Sequence, residues 1–167
     1  MGQIYYRECN YDQELVDGDY QSSYFFSLID GINVAIKSHL YIVSGIALLC
    51  GIEMAGREVL RFLKPAKSFN NTYCFDYFLK NYMGYSSLLR LYPKLYVIFR
   101  NGMVHGGFVE FDGEVSIGAG RTKKQSNLKG LHVTANGAYL TNDVLLCEFL
   151  DGIKQFREDE LENEWHY

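Results

Sequence analysis

Residues 96–111 read YVIFRNGMVHGGFVEF, and the period of the apolar positions changes inside this stretch. Up to Met103 the period is helical: Leu95, Ile98, Phe99 and Met103 fall at three- and four-residue steps. Gly106-Gly107 then supplies a helix stop. From Phe108 apolar and polar residues alternate, as they do along a strand with one buried face. The chain therefore divides here into a helical part and a following β part, and the fold class expected is mainly α, of α+β type.

Working back from that point, Pro93 either kinks the helical stretch SSLLRLY or restarts it at a first-turn position. Before it, YCFDYFLKNYM carries Phe75, Phe78, Leu79 and Tyr82 on one side, with Asn71 or Thr72 as cap and Gly84 as stop. A longer helix is predicted from about Leu40 to Leu63, closed by Lys64-Pro65. A first helix is predicted from a cap at Asp19 to about Ser38, with Phe25, Leu28, Ile29, Ile32 and Ile36 as its stripe. Ser38-His39 reads as a short break or a continuation between the two.

Downstream, GFVEFDGEVSIG alternates around Asp112-Gly113, and GLHVTANGAYLT around Asn136-Gly137; both are hairpin signatures. One hairpin alone is marginal, so the two are expected to pair in one small antiparallel sheet. A last helix starts near Asn142 or Asp143, buries Val144, Leu145, Phe149, Ile153 and Phe156, and runs into an acidic tail from Glu158 to Glu164. The expected architecture is one domain over 1–167. A helical bundle (about 19–107 and 142–162) carries a β-hairpin insertion (about 108–141) before its last helix.

Composition sets limits on partners. The chain has 167 residues, 48% of them hydrophobic, and a net charge of −4. That charge argues against broad binding to duplex nucleic acid, which calls for a basic surface. The most apolar stretch, HLYIVSGIALLCGIEMAG, is too short and too interrupted to span a bilayer, so no membrane partner is expected. Cys9, Cys50, Cys74 and Cys147 show no metal-binding spacing, and reduced thiols in a cytoplasmic protein are the expectation. No Gly-rich phosphate loop, HExxH or nucleophile elbow occurs, and neither a metal nor an organic cofactor is expected.

Arg100 and His105 stand out at the end of the core helix. The ordinary account is structural: Arg100 extends along its stem to water, and His105 complements the helix dipole. The functional account joins a permanently charged planar fork suited to phosphate with a group that exchanges a proton near neutral pH. Asn101 adds a polar amide. Together they are the parts for cleaving RNA without a metal. On a regular helix five residues turn about 500°, leaving the two side chains roughly 140° apart. They meet only if the last turn unwinds or a second copy completes the site across a two-fold axis.

The segment FRNGMVHG resembles the R-x4-6-H motif of the HEPN superfamily, here Arg100-Asn101-x3-His105. The order upstream agrees: two long helices with GIEMAG in the second, a short FDYFLKNYM helix, then LYPKLYVIFRNGMVHG. The segment 108–141 departs from the common core and resembles the extended C-terminal part of some small bacterial stand-alone HEPN-like proteins. The resemblance implies a metal-independent endoribonuclease working as a homodimer, with His105 as general acid/base, Arg100 on the phosphate and Asn101 orienting either. It implies RNA as substrate and, for toxin or defence members, an antitoxin protein as partner. Other members keep the fold and bind a nucleotide or protein without cleaving anything, and a purely structural oligomer is a third possibility.

Two further features complete the candidates. Glu53 lies within an apolar helix surface, where it either pairs with an Arg of the bundle or positions Arg100 or His105. The loop with Arg121, Lys123, Lys124 and Lys129 is either an ordinary solvated loop or a track for an RNA backbone.

Overall fold

The computed structural model describes residues 20–100, 114–120, 127–134 and 137–164. Four helices come first: α1 (Tyr20–Lys37), α2 (Tyr41–Leu63), α3 (Asn71–Asn81) and α4 (Ser86–Leu91). Residues 95–100 add a helical turn that is mostly of the wide, π type. Strands β1 (Glu114–Gly118), β2 (Leu131–Thr134) and β3 (Gly137–Thr141) follow, and α5 (Asn142–Glu164) closes the chain. The mainly helical α+β class, with a small sheet before the last helix, is the one expected from the sequence.

The break between α1 and α2 is sharp. Leu40 N–H donates to Ala35 O (2.8 Å) and His39 N–H to Ile36 O (3.0 Å), the paired bonds of a Schellman stop. His39 takes the left-handed residue at the turn, φ 59°. The α3 cap is Asn70, one residue ahead of the expected pair; its side chain accepts from Tyr73 N–H.

Helix α2 is the centre, packed against α1, α3 and α5. Leu48, Leu49, Ile52 and Val59 are fully buried, along with Phe75, Phe78 and Leu79 of α3 and Phe149 of α5. The approach of α2 to α3 is close enough that a Cβ on Gly56 would lie 1.9 Å from the Cys74 carbonyl oxygen. Only glycine fits there.

The sheet departs from expectation in one respect. β2 and β3 form the antiparallel hairpin predicted at Asn136-Gly137, with Leu131 opposite Leu140. β1 instead lies parallel to β3, giving the order β1-β3-β2. Alternation tells which residues face inward but not which strand is the neighbour. β3 takes the centre because it buries the most: Ala138 and Leu140 both enter the core. The Asp112-Gly113 turn lies outside the described residues, as does the Asp19 cap.

Two side-chain clasps fix the sheet and α5 on the bundle. Asn142 is fully buried, and its Nδ2 donates to Tyr41 O and Ser44 Oγ, both at 2.6 Å. Tyr85 donates to Glu148 and accepts from Leu131 N–H at 2.8 Å, while Glu148 also accepts from Gly130 N–H at 3.1 Å.

Among the described residues no helix is long and apolar enough to cross a membrane. Cys50 and Cys74 are free, whereas Cys147 is disulfide-bonded, which corrects the expectation of reduced thiols throughout. That bond removes the ground on which a reducing compartment was inferred.

Candidate functional site

Glu53 is set on the buried face of α2 and is only 6% exposed. A buried carboxylate needs partners, and it has three. Its Oε1 accepts from Arg57 at 3.3 Å, one helical turn away on α2. Its Oε2 accepts from the Tyr96 hydroxyl at 3.0 Å and lies 2.8 Å from Arg100 Nε. The Arg100 N–H is off the line of that last contact, so the attraction is that of an ion pair more than of a directed hydrogen bond. The Arg100 guanidinium also sits 5.5 Å from the Tyr96 ring centre, on the cationic side of an aromatic face. Arg57 reaches on to the Asn71 side chain at 2.7 Å, linking α2 to the start of α3.

The wide turn at 95–100 brings Tyr96 and Arg100 to the same carboxylate. Turns of this type concentrate at functional sites. One carboxylate facing two guanidiniums leaves a local excess of one positive charge. Tyr96 is pushed above its ordinary range by burial, then by its bond to Glu53. The Cys50 thiol beside the cluster is likewise raised by burial, partly offset by Arg100.

No family model, curated protein or solved structure matches this chain. The site's chemistry therefore rests on its own geometry.

The structure brings Arg100 and Glu53 together, and Glu53 does both things the sequence left open: it pairs with a bundle arginine and it holds Arg100. Asn101 and His105 lie outside the described residues, as do Arg121, Lys123 and Lys124. Lys129 is described, and its ammonium is turned onto the bundle: it donates to Met83 O at 2.6 Å and lies 4.6 Å from the Tyr85 ring centre. His132 stacks on Tyr139 at 4.7 Å, and His39 shares a 2.6 Å hydrogen bond with the Tyr41 hydroxyl. Arg57 and Tyr96 were not singled out from the sequence. The signals were there: Arg57 follows Glu53, and Arg100 follows Tyr96, by the four residues that place side chains on one helical face.

A second group departs from its ordinary state. Burial raises the Asp76 carboxyl on α3 from 3.8 to about 6. The folded chain then holds this proton more tightly than the unfolded chain. The contribution to stability is complete below about pH 4 and is lost as the pH rises through 6. The loss is about 1 kcal/mol once solvent screening of a half-exposed carboxyl is allowed for. Urea unfolding of the wild type and of Asp76→Asn at pH 4 and pH 7 checks this. The wild type is expected to lose that much more than the variant, and equal losses would refute the assignment.

Proposed function

We propose that the chain is a metal-independent endoribonuclease of HEPN type, acting as a homodimer through a cleft that contains Arg100, Asn101 and His105. The observation that supports this most is the fixing of Arg100. It is 16% exposed, held by Glu53 at 2.8 Å and laid against Tyr96. A guanidinium held in this way meets a phosphate without first losing its own freedom. His105 follows five residues later and supplies the proton transfer; a second copy of the chain supplies the facing pair. A toxin or defence role, with an antitoxin as partner, fits an enzyme of this class.

A second reading keeps the fold and omits the chemistry. In it the Glu53 cluster serves only to tie α2 to α3 and the 95–100 turn, and the chain is a binding module. The saturation of Glu53 by three partners favours it.

Incubation of single-stranded, transfer and ribosomal RNA with the protein in excess EDTA separates the two. Cleavage is expected, with a loss of about 10²-fold in both Arg100→Ala and His105→Ala. No cleavage, or cleavage unchanged in both variants, refutes the ribonuclease reading.

A further inference from the structure

A second concavity, of about 680 Å³, opens between α3, α4 and the chain at Pro93. Its walls include Tyr73, Asp76, Tyr77, Lys80 and Arg90. Helix α3 has two faces: Cys74, Phe75, Phe78 and Leu79 are buried in the core, and Tyr73, Asp76, Tyr77 and Lys80 line this opening.

Three observations distinguish it from an ordinary surface groove. Asp76 keeps one oxygen, Oδ1, buried and without a hydrogen-bond partner among the described residues. Such a group is costly unless something else satisfies it. The charges on the walls are uncommitted, since no ion pair among the described residues involves Asp76, Lys80 or Arg90. A row of rings leads to the opening: Phe69 stacks on Tyr73 at 5.1 Å and 13°, and Tyr77 follows at 6.1 Å. Tyr73 is 44% exposed, so part of this row is open to a ligand.

We propose that this cavity is a base-recognition site for guanine in single-stranded RNA, with Asp76 accepting from the base, Tyr73 and Tyr77 stacking on it, and Lys80 and Arg90 meeting the adjoining phosphates. A carboxylate only accepts. Guanine presents two neighbouring N–H donors on one edge, whereas adenine and cytosine set an acceptor beside their amine and uracil flanks its N–H with carbonyls. Ring stacking supplies affinity for any base, and the carboxylate supplies the choice. Two cations against one carboxylate give a net positive opening, matched to a base carried between phosphates. The selection of RNA rests on the ribonuclease reading above; the preference for guanine rests on this cavity alone.

Binding of 2′-O-methyl pentanucleotides tests it, because the blocked 2′-oxygen prevents cleavage while binding is read by fluorescence anisotropy. Uridine pentamers with a central guanosine, inosine or adenosine are compared. Inosine lacks only the exocyclic amine of guanosine. The guanosine pentamer is expected to bind about tenfold tighter than the other two. Asp76→Asn is expected to bring all three within about twofold, and Lys80→Ala to weaken all three alike. Equal binding of the three by the wild-type protein overturns the proposal, and so does a guanosine preference that survives in Asp76→Asn. Absence of binding to any of them overturns it as well. Arg100-dependent cleavage without guanosine selectivity sinks the base site and leaves the ribonuclease; selectivity without metal-independent cleavage does the reverse.

Discussion

Gly56→Ala is expected to prevent the chain from reaching its native packing. The added methyl carbon would lie 1.9 Å from the carbonyl oxygen of Cys74 and 2.6 Å from its carbonyl carbon. These are backbone atoms of α3, so no side chain can swing aside; the two helices must separate. Separation opens the core where Phe75 and Val59, both fully buried, lie. Overpacking of this kind costs at least 3 kcal/mol, to order of magnitude, a large share of the stability of a domain of this size. The measurement is the urea midpoint, or the soluble yield where no folded protein is recovered. Gly31→Ala is the control. Gly31 is also within a helix, but a Cβ there meets nothing within 4 Å. That change is expected to raise stability by about 0.5–1 kcal/mol, the usual gain of alanine over glycine in a helix. Similar midpoints for the two variants would contradict the close approach of α2 and α3.

The second large effect is expected at Glu53. Glu53→Gln preserves shape and removes charge, leaving Arg57 and Arg100 facing a neutral amide. Arg57 is 35% exposed and is screened by water; Arg100, at 16%, is not. Breaking a buried pair on one side costs about 3–5 kcal/mol, because the remaining charge stays buried without its counter-ion. Chemical unfolding of Glu53→Gln, Arg100→Gln and the double variant measures it. The double variant is expected to be more stable than the sum of the singles predicts, by at least 1 kcal/mol. Additive losses would mean that the two residues are energetically independent despite their 2.8 Å contact. If the ribonuclease reading holds, Glu53→Gln also lowers cleavage, since a released guanidinium no longer waits in place.

Much of this was legible in the residues because helical period is a direct record of burial. Ile29, Ile32 and Ile36 in α1, and Phe75, Phe78 and Leu79 in α3, were read from spacing alone and are buried. Less legible were features that depend on what lies opposite. The parallel pairing of β1 with β3 is a choice of neighbour, and alternation carries no information about neighbours. The identity of Glu53 as a carboxylate on an apolar face announced a partner but not which one. Three candidates sit around it, and only the fold shows that all three are used. Asp76 gave no signal, since a single acid at the margin of an aromatic stripe looks like any solvated side chain until the cavity beside it is known.

The wide turn at 95–100 has a consequence for how the chain tolerates change in length. An expanded turn holds more backbone per revolution than an ordinary one, and behaves as an α-helix into which a single residue has been spliced. Excising one residue there would let the coil tighten to standard pitch, and everything beyond would swing by about 100°. The guanidinium would then leave the carboxylate although no amino acid at either position had changed. Loss of a residue from this coil is therefore a graver event than most replacements within it, and descendants of this chain should vary in side chain here far more readily than in spacing.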